Sequence, residues 1–336
     1  MSQEHYVIIG NGPSANQAAL TIRQKAPDAR VTMVSRETAN YYRPHLLPDL
    51  IAGTLTEEDL YVNPLGFYKE NGIKLRLGQE VAEINFPSRE LILAHKEVVR
   101  YDGLIIAVGG KPRIPEPLLP FRDLMLTLKT LDDARVWIDR LAQAESVVIV
   151  GGDLTSLALV KALLSMGKKV SFILSGESFW PLRAEPRVFE QVETRLAGKG
   201  VEVVRGHKVR RVTRLSESAI EVETDQSCTR GAIAGAFFGL VPAVRFLARS
   251  GLHVQRGVLV DETLKTRFDR VYAAGDCAQV YCPEICDYWV SIGHENARNL
   301  GKIAAANCVG EVLKMEPERI FCVEGVAVNT SWWMEF

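Results

Sequence analysis

Short apolar runs alternate with segments of helical period along most of this chain. The first group reads as a strand at 6–10, a helix at about 14–25 and a strand at 31–35. Apolar or alternating runs follow near 73–77, 81–85, 90–93 and 103–108. The last of them leads through Ala107-Val108-Gly109-Gly110-Lys111-Pro112 into a Gly/Pro break that suits a domain crossing. The pattern then restarts with strand 147–150, helix about 154–166, strand 170–174, helix about 186–197, strand 201–204 and hairpin-like strands near 209–214 and 219–223. Past about 235 come Phe237-Phe238-Gly239, Val258-Leu259-Val260, Val271-Tyr272-Ala273-Ala274-Gly275-Asp276 and a helix predicted from about 288 to 307. Strands separated by crossover helices predict an α/β fold built on parallel sheets.

The two halves open alike. Tyr6-Val7-Ile8-Ile9-Gly10-Asn11-Gly12-Pro13-Ser14-Ala15 is a buried strand turning into a helix through G-x-G-x-x-G/A. Gly10 permits the tight turn, Gly12 lets the backbone approach a pyrophosphate, and Ala15 is small enough for the helix to pack on its strand. The N–H groups at the helix start favour phosphates. Glu37, just past the strand 31–35, is placed to accept a ribose hydroxyl. The plainer reading is a glycine-rich turn in an α/β fold. Val147-Val148-Ile149-Val150-Gly151-Gly152-Asp153-Leu154-Thr155-Ser156 keeps the strand and the first glycine, while Asp153, Ser156 and Ala158 replace the rest of G-x-G-x-x-G-x-E.

A carboxylate at Asp153 stands where a pyrophosphate would meet the backbone. At about 5 Å and an effective dielectric of about 20, each like-charge pair costs roughly 3 kcal/mol, or about two decades in affinity. Asp is equally a favoured N-cap, so the helix start can instead bind its own side chain. Leu174 ends the next strand where an acid is expected, with Glu177 as a displaced substitute and Arg183 as a cation able to face a phosphate.

Bulk properties narrow the rest. At 336 residues, two or three globular units are expected, and 47% hydrophobic with 24% charged residues gives ample core material. A net charge of −1 without charge blocks removes electrostatic binding to nucleic acid or an anionic membrane. The N-terminus runs into a strand with no basic, then apolar, leader, and no apolar run reaches membrane-spanning length, which reads as a soluble cytoplasmic protein. Six cysteines are too few for a disulfide scaffold. Cys277, Cys282 and Cys286, spaced C-x4-C-x3-C, are either reduced loop thiols or part of an iron–sulfur site completed by Cys228, Cys308 or Cys322.

Four segments, Val7–Ala15, Tyr41-Tyr42-Arg43-Pro44-His45-Leu46, Tyr101–Pro112 and Val271–Ala278, carry a resemblance over almost the whole chain. The chain resembles the FAD-dependent pyridine nucleotide–disulfide oxidoreductase superfamily, nearest to its NADH:rubredoxin reductase, ferredoxin reductase and nitrite reductase flavoprotein branch. The resemblance implies two Rossmann-like dinucleotide-binding domains, the second inserted in the first. An FAD-binding domain would take 1–112 and 236–310, an NAD(P)-binding-like domain 113–235, and a truncated interface segment 311–336. FAD would lie on Gly10, Gly12, Pro13, Ala15 and Glu37, with Arg43 and Lys129 along it and the Val81 backbone at the adenine. Ala107, Gly109 and Gly275 belong to the matched segments, and Asp276 would accept a hydrogen bond from the ribityl chain. A helix carrying Tyr288, Trp289 and Ile292 would aim its N-terminus at the flavin pyrimidine carbonyls.

Relatives with thiol chemistry place a Cys where this chain has Leu46, Leu47, Pro48 and Asp49, so no thiol chemistry is expected there. No metal is expected, and no catalytic residue stands out, since His294 and Glu295 are as readily packed or solvated. The expected activity is electron transfer between FAD and a redox protein or iron–sulfur subunit, alone or in a larger complex, with NAD(P)H use doubtful. The alternatives are an NAD(P)H-dependent rubredoxin or ferredoxin reductase and a non-catalytic flavin-bearing assembly subunit. The aromatic tail with Trp332 and Trp333 suits either an interface or the chain's own core.

Overall fold

The computed structural model describes residues 3–64, 66–174, 186–205, 208–283, 286–290 and 293–315. They fall into two compact units, 3–42, 61–111 and 241–315 in the first and 43–60 and 112–240 in the second. Among the described residues no helix is long and apolar enough to cross a membrane.

Each unit is built on a five-stranded parallel sheet. In the first the order is Val271–Ala273, Gly103–Ile106, His5–Ile9, Arg30–Val34 and Ile73–Arg76. In the second it is Glu202–Arg205, Lys169–Leu174, Ser146–Gly151, Ile233–Phe237 and Met125–Leu126. Past their first residues, His5 and Ser146, both central strands are apolar because crossover connections cover both faces of a parallel sheet. Tyr6, Val7 and Ile8 are at most 1% exposed, and so are Val147, Val148, Ile149 and Val150. The fingerprint helix of the first unit, Pro13–Lys25, turns Ser14, Ala15, Ala18, Ala19 and Ile22 inward. The helix His294–Cys308 packs on it so closely that a Cβ on Gly301 would stand 2.1 Å from the Ser14 carbonyl oxygen.

The strands and helices expected from the pattern are observed, with ends displaced by a residue or two. One element is corrected. The expected helix from 288 begins instead at His294, and Tyr288 and Trp289 lie on a strand, Asp287–Trp289, paired antiparallel with Ala278–Cys282. The aromatic pair favours a pleated surface, and the Tyr281 and Tyr288 rings meet edge-on at 5.4 Å across the ladder. Gly293, at φ +122°, makes the break before the helix. Ile292 lies outside the described residues. The helix Leu131–Leu141 was not expected, although Thr130 and Asp133 spell its capping box.

At the start of the first central strand, His5 is buried with both ring nitrogens engaged. Arg30 donates to Nδ1 at 2.7 Å, so Nε2 carries the proton and donates to Thr32 Oγ1 at 2.8 Å. Burial, and then the Arg30 charge, lower the His5 pKa from 6.5, with the Arg100 backbone and Asp102 opposing and Lys74 reinforcing the shift. The folded state therefore binds fewer protons than the unfolded one below about pH 6.5, and stability declines as the pH falls from there to the folded pKa. Urea unfolding of wild type and His5→Asn between pH 7 and pH 5 checks this. Wild type is expected to lose more stability on acidification than the variant, and equal slopes contradict it.

Candidate functional site

The two turns share one geometry and differ in what fills it. A Cβ on Gly10, at φ +129°, would lie 2.2 Å from the Ala107 carbonyl oxygen, and one on Gly151, at φ +104°, would lie 2.2 Å from that of Phe237. Both glycines are thus held by the neighbouring parallel strand, and side chains are excluded. Beyond this point the halves part.

In the first unit the helix Pro13–Lys25 starts at Gly12, in extended conformation, with no side-chain cap. A Cβ on Gly12 would meet nothing within 4 Å, so the space over the helix start is open. The orphan N–H groups and positive end of the dipole face that space. Ser14 Oγ, in the first turn, is buried with no hydrogen-bond partner among the described residues. Gly275 comes against it, with a Cβ there standing 3.1 Å from Ser14 Cβ, which brings the Ala274-Gly275-Asp276 turn beside the fingerprint. Half-buried Asp276 follows. Gly109 turns the chain just past the strand Gly103–Ile106 and Ala107, at φ +62°.

Glu37 follows the second strand, accepts from the Tyr42 hydroxyl at 2.7 Å, and receives the Gly78 N–H on its backbone oxygen at 3.0 Å. That contact draws the segment leading to Val81 alongside the acid. The structure therefore gathers Gly10, Gly12, Pro13, Ala15, Glu37, Val81, Ala107, Gly109, Gly275 and Asp276 in one unit. An open, uncapped helix start, an orphaned hydroxyl and a following acid fit the diphosphate and ribose of a dinucleotide.

In the second unit the helix Leu154–Ser165 starts at Asp153, whose carboxylate fills the corresponding space. Oδ1 accepts from the Ser156 N–H at 2.8 Å and Oδ2 from the Gly239 N–H at 3.1 Å, while Ser156 Oγ receives the Asp153 N–H at 2.9 Å. Burial raises the Asp153 pKa, and the N–H groups of Ser156, Gly239 and Thr155 oppose the rise. Two donors that face this turn, the N–H groups of Ser156 and Gly239, are thus already bonded from within. Glu177 and Arg183 lie outside the described residues.

Arg43 and Lys129 belong to the second unit. Exposed Arg43 donates through its side chain to the Asp59 carbonyl at 3.4 Å, and the Lys129 N–H binds Asp133 at 2.8 Å. Their part in cofactor binding rests on the resemblance alone. Cys277 and Cys282 are buried, and Cys286 is exposed. The Cys277 thiol is pushed up to about 11 by burial and donates to the Ile106 and Ala274 carbonyls at 3.3 Å. Among the described residues no three His, Cys, Asp or Glu side chains stand together as a metal site, and Cys322 lies outside them.

Sequence reasoning passed over Asn16, whose side chain holds the fingerprint turn, and Tyr68, which holds Asn16 at 2.6 Å. The one signal was an amide among the small and apolar residues on the helix's inward face.

Comparison with known proteins places this geometry. The pyridine nucleotide-disulphide oxidoreductase family matches residues 4–300. The chain belongs to this family and is an FAD-dependent electron-transfer oxidoreductase with two Rossmann-like domains. It is 28% identical over 276 residues to the nitric oxide reductase FlRd-NAD(+) reductase of Klebsiella pneumoniae, covering 82% of this chain and 72% of the relative. The same enzyme from Escherichia coli strain SE11 is 29% identical over the same shares. Among solved structures, the putidaredoxin reductase of a covalent complex with putidaredoxin superposes with a TM-score of 0.85 at 23% identity, over 94% of this chain and 78% of that one. A ferredoxin reductase from Rhodopseudomonas palustris gives 0.85 at 21% identity over the same shares.

The second half supplies the design of a test. Gly12→Asp should build into the first helix the self-cap seen at Asp153, leaving the fold intact and lowering FAD affinity by about two decades. Thermal unfolding and flavin content check it, and retention of FAD by a folded Gly12→Asp variant contradicts it.

Proposed function

We propose that FAD lies over the amino-terminal turn, its diphosphate on the N–H groups of Gly12, Ser14 and Ala15, and that electrons are exchanged with a redox protein rather than with NAD(P)H. Glu37 accepts a ribose hydroxyl, the Val81 backbone meets the adenine, and Ala107, Gly109, Gly275 and Asp276 line the ribityl side. When bound, FAD supplies the one- and two-electron chemistry. The chain's own groups bind and orient it: the helix start neutralises the diphosphate, Gly10 keeps the turn tight, and Asp276 anchors the sugar chain. The observation that carries the reading is the contrast between an open helix start at Gly12 and one filled by the Asp153 carboxylate.

With the second nucleotide cleft closed from within, donor and acceptor are both redox proteins, of the rubredoxin, ferredoxin or iron–sulfur subunit class, and the chain can serve as one subunit of a larger complex. We place it in the cytoplasm, in keeping with free thiols at Cys228, Cys277, Cys282, Cys286 and Cys308. The relatives named as NAD(+) reductases favour a second reading, in which nicotinamide binds despite Asp153.

Anaerobic titration with NADH and NADPH, following flavin absorbance, separates the two. The proposal expects no rapid bleaching by either, reduction by dithionite, and an Asp153→Gly variant that binds nicotinamide up to about a hundredfold more tightly. Rapid bleaching of wild type, or unchanged affinity in the variant, contradicts it.

A further inference from the structure

Asn16 is 5% exposed on the fingerprint helix, and every polar atom of its side chain is engaged. Its Nδ2 donates to the Asn11 carbonyl at 2.8 Å and the Gly12 carbonyl at 3.1 Å, with Asn11 Oδ1 at 3.2 Å. Its Oδ1 accepts from the Tyr68 hydroxyl at 2.6 Å. That hydroxyl in turn accepts from Asn63 Nδ2 at 3.4 Å and from the Tyr41 amide. Asn11 Nδ2 reaches the Ala39 carbonyl at 3.1 Å, two residues beyond Glu37. One connected network thus ties the turn Gly10–Gly12, the loop bearing Glu37 and the helix Phe67–Glu70.

The second half shows that the fold does not need this network. Counting from the turn glycine, Asn16 stands six residues after Gly10, and Leu157 six after Gly151. Leu157 is 3% exposed and packs as a plain apolar residue. A buried amide costs free energy unless fully bonded, so an apolar side chain is the default for such a position. The amide occurs in the half whose helix start is open and is missing where the start is closed.

We propose that Asn16 and Tyr68 are positioning residues that pre-organise the diphosphate turn and the ribose acid for the adenosine end of FAD. By holding the Asn11 and Gly12 carbonyls, Asn16 fixes the two peptide planes that flank Gly12, so that the Gly12 N–H faces the open space. Tyr68 fixes Asn16 and sets the Glu37 loop in register with it. Without the clamp the turn samples other conformations, and binding must re-order it, which weakens affinity without touching the ligand. The inference rests on the FAD reading above.

The test dilutes the full-length holoprotein and follows flavin fluorescence to obtain the FAD dissociation constant. Tyr68→Phe is expected to weaken FAD about tenfold, the effect of one buried hydrogen bond. Its flavin absorbance spectrum should be unchanged, because the isoalloxazine end is not involved. Asn16→Leu, which copies the second half, should weaken FAD at least as much and decides the matter if Tyr68→Phe does not fold by circular dichroism. Tyr272→Phe is the control, since it removes a buried hydroxyl bond to the Asn307 carbonyl at 3.1 Å outside this network, and its affinity should stay within about twofold. Wild-type affinity in Tyr68→Phe and Asn16→Leu, or equal loss in Tyr272→Phe, overturns the clamp while the FAD reading stands. Wild-type protein that releases no FAD on denaturation overturns the FAD reading, and the clamp with it.

Discussion

The unsatisfied N–H groups at the start of a helix that follows a parallel strand are the constraint on which this molecule turns. The chain builds that feature twice, with the same turn glycine forced by the same approach of a neighbouring carbonyl, at Gly10 and Gly151. The N–H groups of a helix's first turn need partners, and these can come from a ligand or from the protein. Gly12 offers them no side chain, whereas Asp153 caps the Ser156 N–H and Ser156 in turn caps that of Asp153. A difference of a few atoms separates an open helix start from a self-capped one.

Closure at the second turn is a structural bond within the βαβ unit. Asp153 bonds Ser156 on its own helix and Gly239 at the end of the adjacent strand, so it stitches the βαβ unit where a diphosphate would otherwise do so. Its N-cap stabilises the apo fold by about 1 kcal/mol, a contribution that the open half forgoes. In the open half, Asn16 and Tyr68 hold the turn instead, through carbonyls rather than N–H groups, which leaves the donors exposed.

Much of this was legible in the residues. Continuous apolar runs such as Val147–Val150 and small residues such as Ala15, Ala18 and Ala19 marked the parallel strands and the crossover helix, because burial on both faces admits few alternatives. Asp153 was legible as both obstacle and cap, and the structure decides for the cap. Tyr288 and Trp289 were misread as helix because aromatic residues serve either period, and only the cross-strand partner Tyr281 settles it. The clamp was not legible, since Asn16 and Tyr68 are 52 residues apart and their meeting depends on tertiary packing.

The most direct test of the account is amide hydrogen exchange along the full chain with and without FAD. The account predicts slowed exchange at Gly12, Ser14 and Ala15 on adding FAD and no change at Asp153, Ser156 and Leu157, whose N–H groups are already bonded. Protection at Asp153, Ser156 and Leu157, or none at Gly12, Ser14 and Ala15, would contradict it.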